Sequence, residues 1–421
     1  MYVKARVAHR WLVLAVLFVA AAAMRIVVRM AFGEQYFWKN SYLIYYSLAE
    51  NVISGKGFCI GTKCAWLPPL YPLFLAVSAA ADQSYLLVIV PQALMGAGTA
   101  LCAFLIGRHI FSARVGILAC GMTAFYPYYV VHDTALQETG MVTFLTALSI
   151  WLLLRASKLN RNRDWFLAGL ALGSTALTRV SVAPVIAIGL LWCAIWGPGG
   201  KLAERLRNCL FLFLAVILVV GPWLARTYHV IGAPVLNSQT GVALWTGNNP
   251  DTFSHYPMGS IDRSRDEAWL KMTPADREEL ERLADNEIAT SNWFARRALT
   301  YVRQNPWGVV QGMARKLEAG FSWRLNPYRE PLAQAAYSIA YVPVVVIGFI
   351  GMAIAWRRRE IILIGMLFLG FIGISAVFWA HTSHRSYLDV YLIVCAASVV
   401  ETVLLNFDRP KGVDHAGNSR N

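Results

Sequence analysis

Charged side chains are scarce in this chain. Of its 421 residues only 15% are Asp, Glu, Lys or Arg, against 57% that are apolar, a balance far from that of a soluble domain. Several enzyme patterns are also missing. No H-E-x-x-H, P-loop, G-x-S-x-G or paired-cysteine zinc pattern occurs, which argues against a zinc protease or a nucleotide hydrolase. There is no repeat of fixed period, and no matched halves with short spans broken by Gly or Pro, so the usual transporter signature is lacking.

What is present is hydrophobic length. Runs such as Trp11–Ala23, Leu210–Trp223 and Ile361–Trp379 approach the roughly 20 helical residues needed to cross about 30 Å of hydrocarbon. In lipid such runs must be helical, because the backbone finds no other partner there. The first run follows Lys4, Arg6 and Arg10 as a secretory signal would, but Arg25 and Arg29 stand at its far end where a small-residue cleavage site would be, so it reads as a retained anchor.

Ten spans are expected, at roughly 11–31, 84–106, 114–131, 137–156, 165–178, 180–196, 208–225, 334–355, 360–380 and 387–405. The net charge of +14 then needs no nucleic acid to explain it. The N-terminus, Arg108 and Arg114, the run Arg155, Lys158, Arg161, Arg163, the run Lys201, Arg205, Arg207, the triplet Arg357–Arg359 and the tail with Arg409 and Lys411 all fall on one side. By the positive-inside bias that side is the cytoplasm, with both termini there, in a bacterial inner membrane. The expected organisation is an N-terminal transmembrane module over 1–226 with a first periplasmic loop at 32–82, a periplasmic segment over 227–333, C-terminal transmembrane helices over 334–407, and a polar, disordered tail over 408–421. The segment 227–333 carries twelve basic residues from Arg263 to Arg329 and twelve acidic ones from Asp251 to Glu330, a balance that suits a folded unit. Thr273-Pro-Ala-Asp276 reads as an N-cap with proline and acid in the first turn, opening one helix through about Gln304. Trp293, Phe294, Trp307, Phe321 and Trp323 suit a membrane interface or packing among themselves.

The unusual chemistry collects on the outward side. Ser41–Pro72 interrupts the chain with a short amphipathic stretch, and its Cys59 and Cys64 form a disulfide if that face is oxidising, or stay as two thiols if it is not. The other five cysteines lie in or at the ends of spans as small apolar filler. Asp133 and Glu138 sit at the outer edge of the fourth span, where a carboxylate is costly unless used or paired. Glu138 also opens a helix, a place that favours an acid without any function. Arg179, Arg226, His384 and Arg385 put cations at outward helix ends, ready for a phosphate or for a carboxylate from another loop, unless they only snorkel. Trp245, Asn248 and Asn249 in LWTGNNP can stack on and bond to a sugar, or simply make a turn.

The ordered stretches LAENVISGKGF (48–58), PPLYPLFLA (68–76), LQETGMVTFL (136–145), LAGLALGSTALTR (167–179), PWLARTYHVIG (222–232), GVALWTGNNP (241–250) and RALTYVRQNP (297–306) resemble bacterial GT-C membrane glycosyltransferases of the family 39/83-like group, which includes protein O-mannosyltransferases and lipid A aminoarabinose transferases. The resemblance implies an all-α polytopic membrane protein, a GT-C-like bundle of about ten transmembrane helices with amphipathic helices in the first outward loop and a helical periplasmic segment. It implies an inverting glycosyltransferase that moves a sugar from a polyprenyl-phosphate donor to a lipid, glycan or protein acceptor at the periplasmic face, in contact with membrane lipids. A flippase of lipid-linked sugars and a non-catalytic GT-C relative are the alternatives. Tyr45 and Tyr71 fall among the substrate-binding positions, with Trp245, Asn248 and Asn249; Arg179, Arg226, His384 and Arg385 fall to the donor phosphate. One departure matters. The family's acidic residue precedes Tyr45 by four, where this chain has Ser41 beside Asn40, so the base must be Glu138, Glu34 or Asp133, or activity is altered. No motif requires a cofactor, and no ligand spacing demands a metal, though a divalent cation between phosphate and carboxylate suits the chemistry.

Overall fold

The computed structural model describes residues 2–39, 42–79, 84–198 and 201–407. Asn40, Ser41 and the tail 408–421 lie outside them. Among the described residues the chain is helical throughout: α1 Tyr2–Phe32, α2 Glu34–Lys39, α3 Leu43–Ile53, α4 Leu70–Ala79, α5 Tyr85–Ile110, α6 Ala113–Ala124, α7 Pro127–His132, α8 Thr139–Leu159, α9 Asn162–Thr178, α10 Pro184–Trp196, α11 Leu202–Ile231, α12 Thr240–Gly247, α13 Ile261–Leu270, α14 Pro274–Arg282, α15 Glu287–Gln304, α16 Pro306–Phe321, α17 Pro331–Ile354, α18 Arg359–Val377, α19 Thr382–Arg385 and α20 Asp389–Phe407.

Seven helical stretches have the length and apolarity to cross a membrane: Arg10–Phe32, Tyr85–Ile110, Thr139–Leu159, Leu202–Ile231, Pro331–Ile354, Arg359–Val377 and Thr382–Leu405. The other three expected spans are shorter helices. The stretch expected at 114–131 breaks after Ala124, because Pro127 has no amide hydrogen to continue the ladder and holds Tyr126 extended, at ψ 114°. The remaining two are α9, with 17 residues, and α10, with 13. Close approach compensates for shortness at α9, where a Cβ on Gly169 would stand 2.2 Å from the Leu212 carbonyl oxygen. Only glycine lets α9 and α11 meet there.

The single helix expected over 273–304 is two. Thr273 caps α14, its hydroxyl accepting from the Asp276 amide at 3.1 Å, but the chain leaves the helix after Arg282 and restarts at α15 with a second cap, Asn286, accepting from the Ala289 amide at 2.9 Å. An internal Asn with a free amide three residues on is itself a start signal, and it wins over continued helix. Trp245, Trp293, Phe294, Ala268, Leu280 and Ala298 form the small core of this segment, whereas Trp307 and Trp323 stay exposed. Of the aromatics expected at an interface, then, Trp293 and Phe294 pack inward and those two are free to lie there.

The first loop is pinned to this segment. Cys59 and Cys64 are joined in a disulfide; Glu287 at the start of α15 accepts from the Cys64 amide at 2.5 Å and the Ala65 amide at 3.0 Å, and Arg226 donates to the carbonyls of Cys64 and Phe58 at 2.8 and 3.1 Å. Because the disulfide closes only a short loop, its removal is expected to lower unfolding free energy by about 2 kcal/mol on the chain-entropy account. Thermal unfolding of the Cys59→Ser, Cys64→Ser double variant in detergent checks this; a Tm unchanged from the oxidised protein would refute it.

Candidate active site

Residues far apart in sequence meet at one end of the bundle. There α9 ends at Thr178, and Arg179 is extended (φ −149°, ψ 120°) before a short 3-10 turn leads to Pro184 at the start of α10. The sharp turn leaves the guanidinium pointing back at the start of α8. Arg179 Nε and Nη2 reach Glu138 Oε1 at 2.9 and 2.8 Å, Nη2 also reaches Thr139 Oγ1 at 3.0 Å, and Nη1 reaches the Ser383 carbonyl at 3.3 Å. Tyr45 of α3 lies beside Glu138, and its ring stands edge-on to Tyr71 at 5.1 Å. Glu138 and Arg179 are each little exposed, 12% and 11%, so the pair is a fixed, partly desolvated dipole between α3, α8, α9 and α19.

Around it stands a second ring of groups. The amide of Tyr42, just before α3, donates to the Leu136 carbonyl at 3.2 Å; burial, with the carboxylates of Asp262 and Glu138 within electrostatic reach, pushes its hydroxyl pKa up to about 12, Arg179 and Arg329 pulling the other way. His381 Nδ1 is 2.9 Å from Ser383 Oγ, and its Nε2 faces Asp262 Oδ2 at 3.9 Å. Burial, with Arg179 and Arg329 nearby, takes the His381 pKa down to about 3, so at neutral pH this imidazole is uncharged. The His384 ring lies against that of His381, tilted by 32°, with ring centres 4.0 Å apart. Asp262, in the first turn of α13, is one-third exposed; burial against the bundle mouth raises its pKa to about 6, Arg265 pulling the other way and Asp266 reinforcing the rise. Arg329 is exposed and, among the described residues, has no hydrogen-bonding or ion-pair partner.

The other sequence candidates lie elsewhere. Asp133 is buried and paired with Arg25 at 2.8 Å, too enclosed to serve as a base. Glu34 is exposed and accepts from Trp38 Nε1 at 3.2 Å within its own helix; no bond ties it to the Glu138 cluster. Arg226 spends its donors on the disulfide loop and lies over Trp223 and Phe58. Arg385 is fully buried, 3.0 Å from Asp389, with its guanidinium 3.9 Å over Tyr341, so it holds the last span together and is not free for a phosphate. Tyr71 is buried and donates to Gln92 Oε1 at 2.9 Å. Trp245 is buried against Phe294, centres 5.0 Å apart, leaving no face for a sugar. Asn248 and Asn249 line a cavity of about 410 Å³ with Phe253, Tyr301, Arg315 and Lys316, but their amides are spent: Asn248 donates to Leu244 and Val377 carbonyls and accepts from Lys316 Nζ at 3.0 Å, and Asn249 donates to Trp245. Lys316 itself bonds to the Ala376 and Val377 carbonyls, capping α18. Trp245, Asn248 and Asn249 are all buried: Asn248 bonds to the end of α18, Asn249 turns back on the carbonyls of Trp245 and Thr246, and Trp245 packs on Phe294 of α15, so none opens to solvent.

Tyr42, Asp262, Arg329 and His381 were missed by sequence reasoning. Asp262 follows a capping Ser260 in a first helical turn, where an acid is ordinary, and Arg329 is one basic residue in a balanced segment. Among the described residues no group of three His, Cys, Asp or Glu is placed to hold a metal ion.

A family model described as dolichyl-phosphate-mannose-protein mannosyltransferase matches residues 67–225, under half of the chain. No curated protein sequence matches it. Among solved structures, the Archaeoglobus fulgidus oligosaccharyltransferase tethered to an acceptor peptide aligns with a TM-score of 0.54 at 13% identity, covering 94% of this chain and 50% of that one. The A. fulgidus oligosaccharyltransferase AglB, in complex with an inhibitory peptide and a dolichol-phosphate, gives 0.53 at 13%, covering 97% and 52%. The fold is that of a GT-C-like membrane glycosyltransferase. ArnT from Cupriavidus metallidurans bound to undecaprenyl phosphate is looser, 0.37 at 14% identity over 86% of this chain and 74% of that one. This GT-C-like chain spans about half the length of the oligosaccharyltransferases, and the Glu138–Arg179 cluster lies at the end of its bundle away from the loop where Arg358 donates to the Ile110 carbonyl.

Proposed function

We propose that the protein transfers a sugar from a polyprenyl-phosphate donor to a hydroxyl acceptor on a lipid, glycan or protein, at the periplasmic face of the bacterial inner membrane. What carries this reading is a locked Glu138–Arg179 pair at the end of a GT-C-like bundle, with Arg329, which has no hydrogen-bond or ion-pair partner among the described residues, within electrostatic reach of the same Tyr42 and His381. A donor phosphodiester leaves as a monoester with more negative charge, and preorganised cations lower the cost of that charge in a site of reduced dielectric. Arg329 is free to follow the phosphate; Arg179 supplies a fixed field with Tyr45 and Glu138. That AglB, of the same fold, is held in one structure with a dolichol-phosphate supports a lipid-phosphate donor. The concentration of Arg and Lys at the opposite helix ends supports an outward-facing site.

The test is reconstitution of the full chain in nanodiscs with radiolabelled polyprenyl-phosphate sugar and a mixed glycolipid acceptor fraction. Label moving to acceptor with release of polyprenyl phosphate is the expected result. Label crossing a vesicle bilayer with the sugar–phosphate bond intact would overturn the reading in favour of a flippase. Arg329→Ala is expected to raise the donor KM about tenfold, the rough worth of one charge-assisted contact of 1–2 kcal/mol.

A further inference from the structure

We infer that Asp262, on the first turn of α13 in the long segment, is the general base that takes the proton of the acceptor hydroxyl. The inference rests on the glycosyl-transfer reading above. It begins from elimination by geometry. A base must be ionised, unengaged and open to substrate, and four carboxylates have been weighed. Asp133 is sealed against Arg25. Glu138 is locked by two nitrogens of Arg179 and so is not unengaged. Glu34 sits in its own exposed helix. Asp262 alone among them combines the mouth of the cluster with freedom: its nearest cationic or ring nitrogens, Arg265 Nη1 and His381 Nε2, are both at 3.9 Å, beyond hydrogen-bond distance.

Its surroundings suit the task. Tyr42 from the segment before α3 and His381 from the segment before α19 face it, and Arg265 and Asp266 flank it on α13. With a pKa of about 6 the carboxylate is ionised at neutral pH and yet basic enough to accept a proton in the transition state. The acceptor oxygen forms its bond to the anomeric carbon as the carbon–oxygen bond to phosphate breaks. The electron pair leaves on the phosphate oxygen toward Arg329, and the hydroxyl proton passes to an Asp262 oxygen, so atoms and charge balance without a further reactant. A base delivered by the long segment also explains how a chain with Ser41 at the usual acidic position could keep the reaction.

In the nanodisc assay Asp262→Asn is expected to lower kcat by about 10²-fold or more while polyprenyl-phosphate binding, read from tryptophan fluorescence, stays within twofold of wild type. Asp262→Glu is expected to restore part of the rate, and Glu278→Gln, an equal charge change in an exposed ion pair on α14, to leave the rate within a few-fold. The wild-type rate is expected to fall as pH drops through about 6 and that limb to disappear in Asp262→Asn. An Asp262→Asn enzyme with the wild-type rate and pH profile would overturn the inference and leave the glycosyl-transfer reading standing. A wild-type protein that binds the donor and never breaks its sugar–phosphate bond would overturn both.

Discussion

Replacing Asp133 by asparagine is expected to destabilise the protein by about 3–5 kcal/mol, the usual consequence of removing one partner from a buried ion pair. Arg25 lies within the first span, where neither water nor lipid headgroup can replace the lost carboxylate. Its Nε is 2.8 Å from Asp133 Oδ2, and its Nη1 donates to the Ala21 and Ala124 carbonyls at 3.0 and 2.8 Å. The neighbouring helices are shaped around the pair: a Cβ on Gly96 would stand 2.3 Å from Arg25 Nε, and one on Gly140 would stand 2.8 Å from the Asp133 Cα. Gln92 completes the knot by donating to the carbonyls of Asp133 and Ala135. The double variant Arg25→Met, Asp133→Asn should recover most of the loss, because no uncompensated charge remains. A double-mutant cycle by thermal unfolding in detergent measures the coupling. If Asp133→Asn alone unfolds at the wild-type temperature, the pair is not structural. The functional corollary is indirect. Glu138 is only five residues beyond Asp133, so a loosened knot would displace the Glu138–Arg179 pair.

How far sequence reaches into this molecule depends on which force sets each feature. Hydrophobic length is local, so seven of the expected spans return with ends shifted by a few residues, and the 114–131 stretch fails only where Pro127 overrides its apolar composition. Glu138 and Arg179 were readable as cost: a carboxylate and a guanidinium at helix ends with no sequence neighbour of opposite sign need partners, and they found each other. The same logic could not tell that Arg385 would be answered by Asp389 four residues on, within one turn of its own span, or that Arg226 would be absorbed by backbone carbonyls. Asp262 and Arg329 were illegible for a different reason. Each belongs to a segment of balanced charge, and only the folding of α13 and of the stretch before α17 over the bundle mouth separates them from the solvated charges around them. Asn248 and Asn249 show the converse error, a motif with the right residue types whose amides turn inward to satisfy carbonyls.

Glu138→Gln and Arg179→Met should each reduce transfer by about 10²-fold or more, the scale on which preorganised electrostatic groups act, and together they distinguish a fixed field from a proton acceptor. Arg179→Met leaves the Glu138 carboxylate without its cation in a position only 12% exposed, and the end of α9 is expected to lose its tie to α8 and to Ser383. Glu138→Gln keeps the shape and leaves Arg179 charged and available, a competing site that should bind donor phosphate more tightly in a non-productive place and so lower kcat and KM together. The double variant should regain stability but not rate, because the dipole is gone whichever partner is missing. The pH profile decides the role. If Glu138 were itself the base, Glu138→Gln would abolish the acid limb; with Asp262 as the base the limb near pH 6 survives in the slow Glu138→Gln enzyme and vanishes only with Asp262→Asn. A residual rate that loses its acid limb in Glu138→Gln, and keeps it in Asp262→Asn, would reverse the two assignments.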